Sequence, residues 1–221
     1  MFTRPPIGFI VEGHCEHVSY PSLVFKCLQC SGLQVPIINA SGYGNIVNHI
    51  DEHLTDICRS HNPLTVIVTV DFADILRQKI FNTCAELKTA MDNRITAWLQ
   101  SAATDSRFVS LPELIVTVIQ IRKFESWLIS DVASLKREGV VSVDIPAVND
   151  ADAIPDPASW LRQAMGRKSY RKDPLVAKTI IGCLNPAVMR INSRSFDKFY
   201  REVRGSYERW SERCAEASTV A

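Results

Sequence analysis

Apolar positions fall into two rhythms along this chain. Ile7–Val11 (IGFIV) is a short apolar run closed by Glu12-Gly13, the pattern of a buried strand entering a turn. From about Glu16 to Cys30 the apolar residues Val18, Leu23, Val24, Cys27 and Leu28 take helical spacing. Val35–Asn39 reads as a second strand, with Gly42-Tyr43-Gly44 as a loop behind it. Helical spacing resumes over Ile46–Cys58, through Ile46, Val47, Ile50, Leu54 and Ile57. Thr65–Val70 (TVIVTV) is the clearest strand, rich in β-branched residues and delivering Asp71 at its end. A long helix is expected over roughly Ile80–Gln100, a buried strand over Leu114–Gln120 and a helical stretch over Phe124–Lys136. Doubly apolar strands alternating with helices predict an α/β fold: a mainly parallel sheet with helices on both faces.

The pattern changes at Val143–Pro157, which holds three prolines and four aspartates and reads as a surface linker or extended loop. Beyond it helices are expected at about Ala158–Met165, Pro174–Cys183 and Ser195–Arg213. Charge changes at the same place: residues 1–158 hold 12 basic and 18 acidic side chains, residues 159–214 hold 13 and 5. An overall net charge of +1 conceals this polarity, which suggests an acidic site beside a basic wall. The expected organisation is an α/β domain over 1–142, a linker over 143–157, a basic helical C-terminal subdomain over 158–214 and a frayed tail over 215–221.

Composition is ordinary for a globular protein, 46% hydrophobic and 22% charged. No apolar run approaches the length that spans a bilayer. The seven cysteines form no regular framework and no leader-like segment precedes them, which makes the cytoplasm the expected compartment. Cys27 and Cys30 form one C-x-x-C without the second pair a tetrahedral zinc site needs.

Candidate chemistry sits at the strand ends. Glu12 and Glu16 flank the passage from the first strand into a helix, and Asp71 and Asp74 stand where the third strand stops. Ligands of open parallel sheets bind beyond the carboxyl ends of the strands. Carboxylates converging there repel one another unless a proton or cation intervenes. Such hard oxygen donors suit Mg2+ or Mn2+. A helix cap is the competing reading for Asp74 or Glu16. It is weaker for Glu12 and Asp71, which end apolar runs and have no evident capping task. His14, beside Glu12, is either a proton-transfer aid or a surface turn residue.

An apolar strand closing in Glu-Gly with a second acid four residues on, then a β-rich strand closing in an aspartate pair, resembles TOPRIM. Phe124-Glu125-Ser126-Trp127-Leu128 with Asp131 resembles the Glu-x-Trp-Leu-x-x-Asp signature of a stand-alone TOPRIM-like family (domain of unknown function 4276). That family is related to the overcoming-lysogenization-defect (OLD) nucleases and is often encoded beside an AAA-type ATPase. Tyr170-Arg171-Lys172 and Ser195-Phe196-Asp197-Lys198-Phe199 are similar to its C-terminal pattern. The resemblance implies a Rossmann-like TOPRIM fold and a Mg2+- or Mn2+-dependent nuclease acting on DNA or RNA, in a defence system with the ATPase as partner. It assigns Glu12, Glu16, Asp71, Asp74 and Glu125 to metal, and Glu12 and Lys172 to catalysis. The sequence departs from the pattern at Ala73, which stands where the second aspartate belongs, with Asp74 one residue later. A runner-up reading follows, a regulatory or binding subunit that keeps the fold without the catalysis.

The basic C-terminal segment has two readings as well, solvated arginines on an amphipathic helix or donors to phosphate. In the second, Arg167, Lys168, Arg171, Lys172, Arg194 and Lys198 contact nucleic acid and Tyr170 stacks on a base. Trp127 reads as core.

Overall fold

The computed structural model describes residues 4–166 and 170–219, with side chains through residue 217. Strands β1 (Ile7–Val11), β2 (Ile37–Asn39), β3 (Thr65–Asp71) and β4 (Leu114–Gln120) form one sheet in the order β2-β1-β3-β4, every pairing parallel. Parallel neighbours need crossovers. Helix α1 (His14–Leu28) joins β1 to β2, α2 (Tyr43–His61) joins β2 to β3, and α3 (Phe72–Arg77) with α4 (Cys84–Ala102) joins β3 to β4. After the sheet come α5 (Phe124–Leu128), α6 (Val132–Arg137), a 3-10 turn (Ala151–Ala153), α7 (Pro157–Ala164), α8 (Pro174–Cys183), α9 (Pro186–Asn192) and α10 (Arg194–Thr219). The architecture is Rossmann-like α/β with a long C-terminal helix.

Strand side chains alternate between the two faces of the sheet. Phe9, Ile67 and Val118 pack against α1 and the C-terminal helices, whereas Ile10, Val66, Val68 and Val70 pack against α2, α3 and α4. The two central strands are buried along their whole length, which is why they read as unbroken apolar runs. Gly8 in β1 is required by close approach: a Cβ there would lie 2.8 Å from Ile57 Cδ1 and 2.9 Å from Pro63 Cγ.

Leu161, Tyr170, Ala177, Phe196 and Phe199 belong to the same buried cluster as Phe9, Tyr20 and Trp127. Among the described residues the segment after 157 therefore has no separate core; it completes the helical layer that α1 begins. The stretch expected to be a surface linker is tied into that layer. Buried Asp152 accepts hydrogen bonds from Ser193 Oγ (3.1 Å), Ser195 N (2.9 Å) and Ser195 Oγ (2.9 Å), capping the start of α10. The same Ser195 Oγ accepts from Trp127 Nε1 at 2.9 Å.

Several boundaries differ from the sequence expectation for local reasons. The helix expected over 124–136 is two helices, because Asp131 accepts from Ser134 N at 3.1 Å and starts α6 afresh. Short α3 and α9 carry too few turns for apolar periodicity to register. Helix α2 begins at Tyr43, on Gly42 with φ 123°, a conformation that favours glycine. Residues 215–219, expected as a frayed tail, continue α10.

Candidate functional site

Parallel β1 and β3 bring their carboxyl ends together, and with them Glu12 and Asp71. The Asp71 backbone N–H donates to Glu12 Oε2 at 3.0 Å. Glu16 enters from the first turn of α1 and Glu125 from the first turn of α5. Lys172 arrives from the segment before α8, with φ 57°. Glu12, Glu16, Asp71, Glu125 and Lys172 line one cleft of about 230 Å³, with His14, Cys15 and Phe124 on its walls. Four acids and one lysine expected from up to 160 residues apart (positions 12 and 172) are thus brought to one end of the sheet.

One carboxylate oxygen of the cleft lacks a hydrogen-bond donor. Asp71 occupies the N-cap position of α3 but its side chain makes no capping bond, and its Oδ1 is buried without a partner. Burial first, then the charges of Glu12, Glu16 and Glu125, hold the Asp71 carboxyl well above the carboxylate range. Burial likewise raises Glu12 despite the Asp71 N–H, and pushes Glu16 up to about 7, with Glu12 and Glu125 adding to the effect. Lys172 moves the other way. Burial lowers it, but Glu125, Asp71, Asp74 and Glu16 outweigh burial and hold the ammonium above its ordinary range. Its Nζ lies 3.6 Å from Glu125 Oε1, and its carbonyl accepts from Cys15 Sγ at 3.3 Å.

Over residues 11–204 the chain matches the family described as Domain of unknown function (DUF4276). The chain belongs to that family. No curated protein and no solved structure matches it.

In this DUF4276 chain Asp74 follows Asp71 into the first turn of α3, since β3 ends at Asp71. Its carboxylate is engaged elsewhere, with Lys123 Nζ at 2.9 Å and Arg77 at 3.1 Å. The Glu-x-Trp-Leu-x-x-Asp signature separates into three tasks. Glu125 faces the cleft, Trp127 is wholly buried among Tyr20, Phe196 and Phe199, and Asp131 holds Ser134 N and Asn185 N.

The basic residues are dispersed. Arg171 and Arg194 are exposed, and Arg167 and Lys168 lie outside the described residues. Lys198 donates to the Thr117 carbonyl at 2.7 Å, so its ammonium serves the edge strand β4. Tyr170, expected as a base-stacking platform, is corrected by burial: it is 1% exposed and donates to Glu125 Oε1 at 3.3 Å. His14 is exposed on the rim of the cleft. Cys27 and Cys30 are free thiols.

Sequence reasoning missed Lys123 and a buried chain beneath Asp71. Tyr20 Oη donates to Thr69 Oγ1 at 3.1 Å and accepts from Gln120 Nε2 at 3.0 Å, and Gln120 is the register partner of Asp71. Thr69 and Asp71 alternate onto the same face of β3, a signal the period-2 pattern carried. Among the described residues no three His, Cys, Asp or Glu groups stand at the spacing of a formed metal sphere. The acids instead surround the cleft, and their oxygen-only donor set with an unpartnered Asp71 Oδ1 fits a hard divalent cation.

Proposed function

We propose that this chain is a Mg2+- or Mn2+-dependent hydrolase of nucleic-acid phosphodiesters, of the TOPRIM type. The observation that carries the reading is Asp71 Oδ1, buried without a hydrogen-bond partner where Glu12, Glu16 and Glu125 share a cleft with Lys172. Glu12, Glu16, Asp71 and Glu125 would hold the cation. A cation there supplies Lewis-acid polarisation of the phosphodiester and a water acidic enough to attack at neutral pH.

The chain's own groups do the rest. Glu12, half-buried at the end of β1 and raised above the carboxylate range, is the carboxyl that would accept the proton of an attacking water. Lys172 offers a fixed positive charge to the phosphoryl oxygens as negative charge develops on them. Tyr170 and Cys15 hold the Lys172 segment in place, Tyr170 against α5 through Glu125 and Cys15 against α1 through the Lys172 carbonyl. DNA or RNA is the proposed substrate and an AAA-type ATPase the proposed partner. Cysteines that form no regular framework suit a reducing compartment such as the cytoplasm.

A second reading, a regulatory or binding subunit with weak or no cleavage, draws on one observation: Asp74 is neutralised by Lys123 and Arg77. The two part on one experiment. Purified protein is incubated with single- and double-stranded DNA and RNA in Mn2+ or Mg2+, with and without the ATPase. The hydrolase reading expects cleavage that Glu12→Gln and Asp71→Asn each reduce by about a hundredfold or more. Cleavage of nothing under any of these conditions gives the regulatory reading the field.

A further inference from the structure

Asp74 and Lys123 are built to meet. The Ala73 backbone N–H donates to the Arg122 carbonyl at 3.2 Å, fastening the start of α3 to the turn between β4 and α5 where Lys123 sits. Lys123 Nζ then lies 2.9 Å from Asp74 Oδ1 and 3.0 Å from Oδ2. Both side chains are only about one-fifth exposed, at 21% and 20%, whereas the other partner, Arg77, is 72% exposed. Lys123 is therefore the cation fixed close to the cleft, and its charge bears on Glu12. Lys172 stands against Glu125. Two ammonium groups thus stand by the acids, Lys172 in the cleft and Lys123 beside it.

A cluster of acids by itself assigns no ligand. Here Asp71, 7% exposed, lines the cleft with an oxygen that has no donor. That atom calls for one cation. Nothing similar remains at Asp74, where a second cation would have to displace an ammonium already within reach of both oxygens, against like-charge repulsion.

Resting on the phosphodiesterase reading above, we infer that the carboxylates take a single divalent cation and that the Lys123–Asp74 pair fills the place of a second. Lys123 is then the fixed positive charge on the β4 side of a bound phosphate, opposite Lys172. Asp74 is a positioning residue for Lys123 and no ligand.

Manganese titration of the full chain, followed by electron paramagnetic resonance and calorimetry, tests this without recourse to activity. Wild type should bind one equivalent. Asp74→Asn should keep that equivalent with affinity changed by no more than about tenfold, because the carboxylate bears on Glu12 and Lys172 through its charge alone and ligates nothing. Lys123→Gln removes a positive charge and leaves the Asp74 carboxylate only its exposed partner Arg77, so Mn2+ should bind about tenfold tighter or a second equivalent should appear. Two equivalents in wild type overturn the inference, as does loss of Mn2+ in Asp74→Asn or an unchanged titration in Lys123→Gln. Each variant is checked for its fold by circular dichroism, and the wild-type stoichiometry stands whether or not a variant folds. Absence of Mn2+ binding by wild type would remove the cation reading itself, a failure distinct from the others.

Discussion

Replacing Glu16 by glutamine should stabilise the metal-free protein at pH 8 and leave it nearly unchanged at pH 5. Glu16 is 6% exposed, and burial foremost, then Glu12 and Glu125, lifts its carboxyl from an ordinary 4.5 to about 7. The folded state therefore binds the proton more tightly than the unfolded chain does. The stability that proton contributes is fully present below pH 4.5 and is lost as pH rises through 7. Integrated over that window the difference amounts to at most about 3 kcal/mol. Glutamine has nearly the same shape and no charge to desolvate, so it escapes the loss. For a chain of this length, 1 kcal/mol moves Tm by about 2–4 °C, so the variant should melt about 5–10 °C higher at pH 8. Urea unfolding in chelator at pH 5, 6.5 and 8 reads the difference directly. Added Mn2+ should reverse the order, stabilising wild type more than the variant, because it satisfies the charge that glutamine lacks. A Glu16→Gln variant less stable than wild type at pH 8, or a difference independent of pH, would refute the reasoning.

Three further outcomes are expected. Tyr20→Phe strips the buried bridge between Thr69 Oγ1 and Gln120 Nε2 and should cost about 1–3 kcal/mol by urea titration; unchanged stability would mean water replaces the hydroxyl without loss. Asp152→Ala removes the acceptor of Ser193 Oγ, Ser195 N and Ser195 Oγ at the start of α10 and should cost about 3 kcal/mol or more, with Asp152→Asn recovering part of it. Combined Arg171→Ala and Arg194→Ala should lower the salt slope of oligonucleotide binding by about 2, whereas Lys198→Met should leave the slope and instead cost about 1 kcal/mol of stability by exposing the Thr117 carbonyl to the loss of its donor. Equal slopes for wild type and the double variant would leave those arginines as solvated side chains.

The sequence by itself determined the alternation of strands and helices, the parallel sheet, and the strand-end placing of Glu12 and Asp71. These are local consequences of period-2 and period-3.6 apolar spacing, and of a strand stopping where its β-branched run stops. It also placed Asp74 one residue past the position of the second aspartate, and β3 has ended before it. What Asp74 then touches was beyond it. Lys123 comes from another crossover, and no spacing relates positions 74 and 123 until Ala73 and Arg122 join backbones. The same holds for Tyr170 and Lys172. Neighbouring positions in a polar, basic stretch look alike in sequence, yet folding the C-terminal segment onto α1 buries one and points the other at the acids. Charge composition suggested a separate basic wall; the apolar residues hidden between the arginines, Phe196, Phe199 and Val203, decided instead for a shared core. Tertiary packing settled which polar groups lose water; desolvation, which no linear pattern encodes, gives Asp71 and Glu16 their character, and the acids gathered around Lys172 outweigh burial to give it its own.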